Sequence, residues 1–93
     1  MNKPYKDVLY NNLVIREFDE NINPLELKWH RDKYDREITI LEGEGWYIQF
    51  ENSLPFEMKK GEVIFINEHE YHRVIKGKTK LKIQIYDKKI SSN

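Results

Sequence analysis

The chain is written in short apolar runs of period two, each cut by turn residues before it is long enough to make a helix. Leu25, Leu27 and Trp29 alternate with polar neighbours, as do Trp46, Ile48 and Phe50, and again Leu81, Ile83 and Ile85. Residues spaced by two line one face of a strand, whereas a helix needs apolar residues three and four apart. The cuts fall at Asn11-Asn12, Asn21 to Pro24, Glu42-Gly43-Glu44-Gly45, Asn52-Ser53, Lys60-Gly61 and Lys76-Gly77-Lys78, all rich in turn formers.

Strands are therefore predicted within Leu9 to Phe18, Leu25 to Trp29, Glu37 to Leu41, Trp46 to Phe50, Pro55 to Lys59, Val63 to Ile66, Tyr71 to Ile75 and Leu81 to Tyr86. About eight strands at roughly 8–12-residue spacing is the pattern of an all-β sandwich or barrel. The continuous run Val63-Ile64-Phe65-Ile66 predicts a strand covered on both faces. Asp19 to Leu27 is the best helix candidate, and Pro24 breaks it. Lys76, Lys78, Lys80 and Lys82 alternate around a hairpin and read as a solvated sheet edge whose charge discourages pairing with another chain. The polar tail from Lys88 to Asn93 reads as frayed.

With 93 residues, the chain is expected to form one small domain over 1–93. Its formal net charge of zero argues against a general nucleic-acid binder, which shows a basic excess on one face. The absence of cysteine rules out disulfides and thiolate metal sites. No apolar run follows the N-terminal Met1 to Lys6, so the expectation is a cytoplasmic protein without membrane attachment.

All three histidines fall in two short segments, Trp29-His30-Arg31-Asp32 and His69-Glu70-Tyr71-His72. Histidine and carboxylate together hold divalent transition metals. The second segment is one residue short of the zinc-protease His-Glu-x-x-His spacing. It also lies in a strand context, where residues three apart face opposite ways.

The segment from about 25 to 87 resembles a cupin. In the first motif of that family, His30 takes the first histidine position and Asp32 the second. Arg36 stands where a glutamate is expected, and Gly43 closes the motif in the string Ile40-Leu41-Glu42-Gly43-Glu44-Gly45. The second motif runs from Gly61 to His72 with its spacing kept, while Asn67 and His69 replace the usual Pro and Gly. The resemblance implies a jelly roll (double-stranded β-helix) and a homodimer formed by strand exchange or sheet packing.

The resemblance implies His30, Asp32 and His72 as metal ligands. An arginine cannot ligate a cation, so the fourth family ligand is lost at Arg36. His-x-Asp with a distant His suits Fe(II) with open positions, and Mn(II), Ni(II) or Zn(II) also fit. The 2-oxoglutarate oxygenases share this pattern and this fold, and in them a basic residue such as Lys80, Lys82 or Arg36 would hold the co-substrate. Glu37 replaces the missing glutamate only across a bulge, because it should point away from the barrel if Arg36 points in.

Each of these residues also has a plainer reading. His72 can be a hydrogen-bonded barrel histidine, His30 and Asp32 a loop His and a turn Asp, and Asp35-Arg36 a local ion pair. His69 should be exposed. Arg36 and Gln49 are the candidate catalytic or ligand-orienting residues: Arg36 as a fork for a carboxylate or phosphate, Gln49, with Gln84, as an inward-facing amide needing a partner. Trp29, Trp46, Tyr47, Phe65 and Tyr71 supply aromatic surface, and Arg73 should face away from His72.

The preferred function is a metal-binding cupin, as an oxygenase or isomerase acting on a small metabolite. The alternatives are a metal-free cupin that binds an anionic small molecule or sugar, and an interaction module that places the lysine hairpin on nucleic acid or protein.

Overall fold

A computed structural model describes residues 3–88 and shows eight strands in two antiparallel sheets, with no α-helix among the described residues. The larger sheet holds β1 (Tyr5–Tyr10), β2 (Leu13–Phe18), β3 (Asp35–Glu42), β6 (Val63–Ile66) and β8 (Leu81–Lys88), in the order β1-β2-β8-β3-β6. The smaller holds β4 (Tyr47–Phe50), β5 (Phe56–Glu57) and β7 (His72–Ile75), in the order β5-β4-β7.

The alternation seen in the sequence is what closes the two sheets on each other. Ile38 and Ile40 of β3, Ile64 and Ile66 of β6, and Leu81, Ile83 and Ile85 of β8 point inward and are buried. Ile48 of β4, Trp46 and Met58 meet them from the other side. Trp46 is fully buried, packs on Phe18 with ring centroids 5.7 Å apart, and donates its indole N–H to the Thr79 carbonyl at 2.7 Å. A buried indole keeps its polar atom satisfied in this way.

Several expectations change on contact with the structure. The run from Leu9 to Phe18 becomes a hairpin that starts earlier, at Tyr5, and turns at Asn11-Asn12 with Asn11 at φ 54°. Leu25 to Trp29 is not a strand. Pro24–Glu26 forms a single 3₁₀ turn, opened by Asn23, whose side-chain oxygen accepts from the Leu25 N–H at 3.0 Å. A proline with an Asn cap favours this turn locally. Leu25, in the alternating set, is 80% exposed.

Val63 to Ile66 is covered on one face only: Ile64 and Ile66 are buried while Val63 and Phe65 lie in the open. The lysine segment joins β7, at the edge of the smaller sheet, to β8, the middle strand of the larger, and of its four lysines only Lys82 lies in a strand. Lys80 pairs with Glu17 at 3.7 Å and Lys82 with Glu42 at 3.3 Å. Gln84 alternates with buried Ile83 and Ile85 and so faces outward. Lys88 ends β8; the remainder of the tail lies outside the described residues.

Gly77 packs where no side chain fits. A Cβ there would run into the buried Trp46 ring and the Glu44 carbonyl, which accepts from the Lys78 N–H. Gly77→Ala is expected to cost about 1–3 kcal/mol, the usual penalty for overpacking, read as a lower urea midpoint with unchanged slope.

Candidate metal centre

His30 lies just outside the sheets, yet it pairs with the first residue of β7. Its N–H donates to the His72 carbonyl and the His72 N–H donates back, each at 2.9 Å. This one bridge brings the two histidine segments together and sets their rings 4.3 Å apart, edge to face. The loop after His30 is held by His69, whose N–H donates to the Asp32 carbonyl at 2.8 Å. His69 itself is exposed in a turn at φ 63°, a conformation that suits the glycine of the family motif.

Both imidazoles are oriented from behind. His72 Nδ1 lies 2.8 Å from the Glu70 carbonyl and His30 Nδ1 lies 3.1 Å from the Lys28 carbonyl. A carbonyl only accepts, so each Nδ1 carries the hydrogen and each Nε2 presents a lone pair. Those lone pairs converge on Asp32. Its Oδ1 is 3.9 Å from His30 Nε2 and its Oδ2 is 3.4 Å from His72 Nε2. Asp32 Oδ2 is buried and has no hydrogen-bond partner.

Three acceptors facing one another, two of them on the buried His72 and the largely buried Asp32 and the third on the half-exposed His30, repel unless a positive charge lies among them. A proton on His72 is resisted: burial, with the charges of His30 and Arg36, lowers its pKa against the raising influence of the Glu70 carbonyl and Asp32. A divalent cation is the other solution. One donor atom from each of His30, Asp32 and His72 falls within 4.8 Å of the others. Nitrogen and oxygen ligands sharing one ion at about 2.1 Å stand roughly 3.0–3.5 Å apart, so a small contraction suffices. The residues present fit a metal ion.

Arg36 points inward beside this cluster, as the strand alternation required, and Glu37 points out. It does not pair with Asp35, which accepts from the Glu68 N–H at 2.8 Å. Its cross-strand partner is Asp87, which it grips with two bonds, Nε to Oδ1 at 2.7 Å and Nη2 to Oδ2 at 3.2 Å. Its remaining nitrogen, Nη1, lies 3.4 Å from Asp32 Oδ1. Burial works against the charge on Arg36, but the bond to Asp87 and the two carboxylates outweigh it and raise its pKa. Arg36 thus stands at the missing glutamate position as a link from Asp32 to β8. Asp87 went unnoticed in the sequence, although it continues the inward series Leu81, Ile83, Ile85.

Gln49 is not brought to this cluster. It stands on the outer face of β4, next to buried Ile48, where its amide donates to the Ser53 carbonyl at 3.0 Å and accepts from Arg73 Nε at 2.9 Å. Arg73 faces away from His72, as expected, and lies over the Trp29 ring at 5.0 Å. Lys80 and Lys82 are held by Glu17 and Glu42 and do not line the site.

A cavity of about 300 Å³ opens onto His30, Asp32 and Arg36, with Tyr5, Arg16, Phe18, Leu27 and Val74 in its walls. That is the lower end of the size range for small-molecule sites. A larger groove of about 620 Å³ runs past Trp29, Gln49 and Tyr71 and touches none of the three candidate ligands.

No protein-family model matches the chain, and neither does any curated protein sequence. Solved structures do match. Hydroxypropylphosphonic acid epoxidase from S. wedmorenis, in complex with fosfomycin, is 21% identical with a TM-score of 0.67, over 90% of this chain and 50% of the epoxidase. Fe(II)-HppE with the alternative substrate (S)-1-HPP gives the same TM-score of 0.67 at 21% identity, over 90% of this chain and 48% of that one. Protein NMB1881 from Neisseria meningitidis is 14% identical with a TM-score of 0.64, over 90% of this chain and 82% of the other. The fold is the cupin-like all-β fold of these proteins, and the chain spans about half the length of the epoxidase. Among the described residues no helix is long and apolar enough to cross a membrane.

Two outcomes are expected. Asp87→Ala should destabilise the protein by about 1–3 kcal/mol in urea unfolding, since it frees a mostly buried guanidinium from a charged two-bond contact. The second concerns pH. The folded His72 binds its proton less readily than the unfolded imidazole at 6.5. The unfolded chain therefore holds more protons below that value, so this contribution is complete above about pH 6.5 and is lost as pH falls towards the folded pKa. The Tm of chelator-treated protein should drop across that window, and His72→Gln should flatten the slope.

Proposed function

We propose that the chain is a metal-binding cupin in which His30, Asp32 and His72 hold one divalent transition-metal ion. The observation that carries this reading is the meeting of two imidazole Nε2 atoms with the Asp32 carboxylate, whose Oδ2 is buried with no partner of its own. Two imidazoles and one carboxylate form the set that suits non-haem Fe(II) and leaves coordination positions open, with Mn(II), Ni(II) and Zn(II) as competitors. The Fe(II) and Co(II) in similar HppE structures support a metal of this kind.

A bound metal would supply Lewis acidity, or activation of O2 at its open positions. The chain's own residues do the rest. The Glu70 and Lys28 carbonyls hold each Nδ1 and so aim each Nε2 at Asp32. Arg36, tied to Asp87, holds Asp32 in place and offsets its charge. The cavity beside them admits a small oxygenated molecule, and Tyr5, Phe18, Leu27 and Val74 keep part of its wall dry. The activity that fits best is an oxygenase or isomerase acting on a small metabolite.

A metal-free anion binder gains little support, because the Arg36 fork is already spent on Asp87. The lysine hairpin offers little to nucleic acid, with Lys80 and Lys82 paired to carboxylates.

Elemental analysis of untagged protein, purified without chelator, tests the reading. About one transition-metal ion per chain is expected, lost in His30→Ala and His72→Ala. Arg36→Met should keep the metal but weaken it about 10–100-fold, the effect of removing a group that orients a ligand. Wild-type protein that takes up no metal in anaerobic titration with Fe(II), Mn(II), Ni(II) and Zn(II) would falsify the proposal.

A further inference from the structure

The backbone bridge that turns His30 and His72 towards Asp32 also builds a surface behind them. Neighbours along an extended chain point to opposite sides, so the residues flanking the bridge face away from the candidate metal centre. They meet as two cross-strand pairs: the Arg73 guanidinium lies over the Trp29 ring at 5.0 Å, and that of Arg31 over the Tyr71 ring at 5.1 Å. Trp29 and Tyr71 stay 43% and 39% exposed, and both line the groove of about 620 Å³. That groove shares no lining residue with the cavity beside His30, Asp32 and Arg36. Its volume falls within the range of small-molecule sites.

The turn after β4 forms the other wall, and the sheet holds it in place. The Glu51 N–H donates to the Tyr71 carbonyl at 2.9 Å and the Ser53 N–H to the Phe50 carbonyl at 3.1 Å, with Asn52 between them at φ 63°. Gln49 braces this turn. Its amide donates to the Ser53 carbonyl at 3.0 Å while its oxygen accepts from Arg73 Nε at 2.9 Å. One network thus runs from the turn through Gln49 and Arg73 to the Trp29 ring. An amide has two N–H groups and two lone pairs, so Gln49 keeps one of each for a ligand.

The walls select by charge and by shape. Glu51 is the one charged side chain that lines the groove, and it repels an anion. Each ring already carries a guanidinium, which opposes a second cation there. A neutral ligand remains, one that offers C–H surface to aromatic rings and hydroxyls to a carboxylate and amides. A sugar ring has both, with C–H bonds on its face and hydroxyls around its rim. From these observations we propose that the groove binds a neutral saccharide, stacked on Trp29 and Tyr71 and held through its hydroxyls by Gln49, Glu51 and Asn52. The proposal stands apart from the metal reading, since it uses none of the candidate ligands.

Titration of the purified protein with cellotriose, maltotriose and chitotriose, followed by tryptophan fluorescence, tests it. Trp46 is fully buried, so a change in emission reports on Trp29. At least one of these sugars should shift the emission to the blue and saturate, with a Kd of about 1 mM or tighter. Tyr71→Ala and Gln49→Ala should each weaken that sugar about 10-fold, the size of one aromatic contact or one hydrogen-bonding group. Phe65→Ala, on the outer face of the other sheet, should leave the affinity unchanged, and Gln49→Ala should keep the metal content of the wild type. All three positions lie outside the core, and thermal unfolding checks that each variant is folded. No saturable change with any of the sugars overturns the proposal. So does a sugar response that Tyr71→Ala and Gln49→Ala both leave intact, or saturation by choline or inorganic phosphate in place of the sugars.

Discussion

The pairing of β3 with β8 organises both the core and the candidate metal centre. In this ladder Ile40 lies opposite Ile83, Ile38 opposite Ile85, and Arg36 opposite Asp87. The first two pairs are buried in the sandwich, and the third sits at its end, where the cavity begins. Because strand side chains alternate, a slip of one residue would send the isoleucines to solvent and carry Arg36 and Asp87 out with them. Hydrophobic burial therefore enforces the register that aims the guanidinium at Asp32.

The histidine cluster depends on a second constraint, the reciprocal backbone bond between His30 and His72. It ties a long loop to the start of β7 and converts two distant segments into one set of donors. Backbone carbonyls of Lys28 and Glu70 then choose the tautomer of each ring. The result is a group of lone pairs without hydrogens between them, an arrangement that costs free energy when empty and is relieved by a cation. Arg36 acts on the same balance: it adds positive charge beside the cluster and anchors the neighbouring aspartate.

The two faces of the larger sheet do different work. The inner face supplies the core and, at its end, Arg36 and Asp87. The outer face combines self-neutralising charges with Val8, Tyr10, Ile15 and Phe65. Phe65 illustrates how such a face misleads a reading of sequence alone. Its run, Val63 to Ile66, is apolar at every position, which is the signature of a strand covered on both sides, yet within one chain only one side is covered.

Much of the architecture was legible in the sequence because it rests on local rules. Period-two alternation identified β4 and β8, apolar runs between turn residues marked β3 and β7, and motif spacing singled out His30, Asp32, Arg36 and His72 together. The alternation failed at Leu25 to Trp29, where Asn23-Pro24 sets a 3₁₀ turn. Gln49 lies between Ile48 and Phe50 on the polar side of the β4 alternation, and the burial of Ile48 turns that side outward. Asp87 became meaningful only opposite Arg36, across strands far apart in the chain. Sequence by itself determined the strands, the turns and the donor types, because those follow from neighbouring residues. Tertiary structure alone decided which donors meet, which charges cancel and which apolar face is left open, because each depends on contacts between segments that the fold brings together.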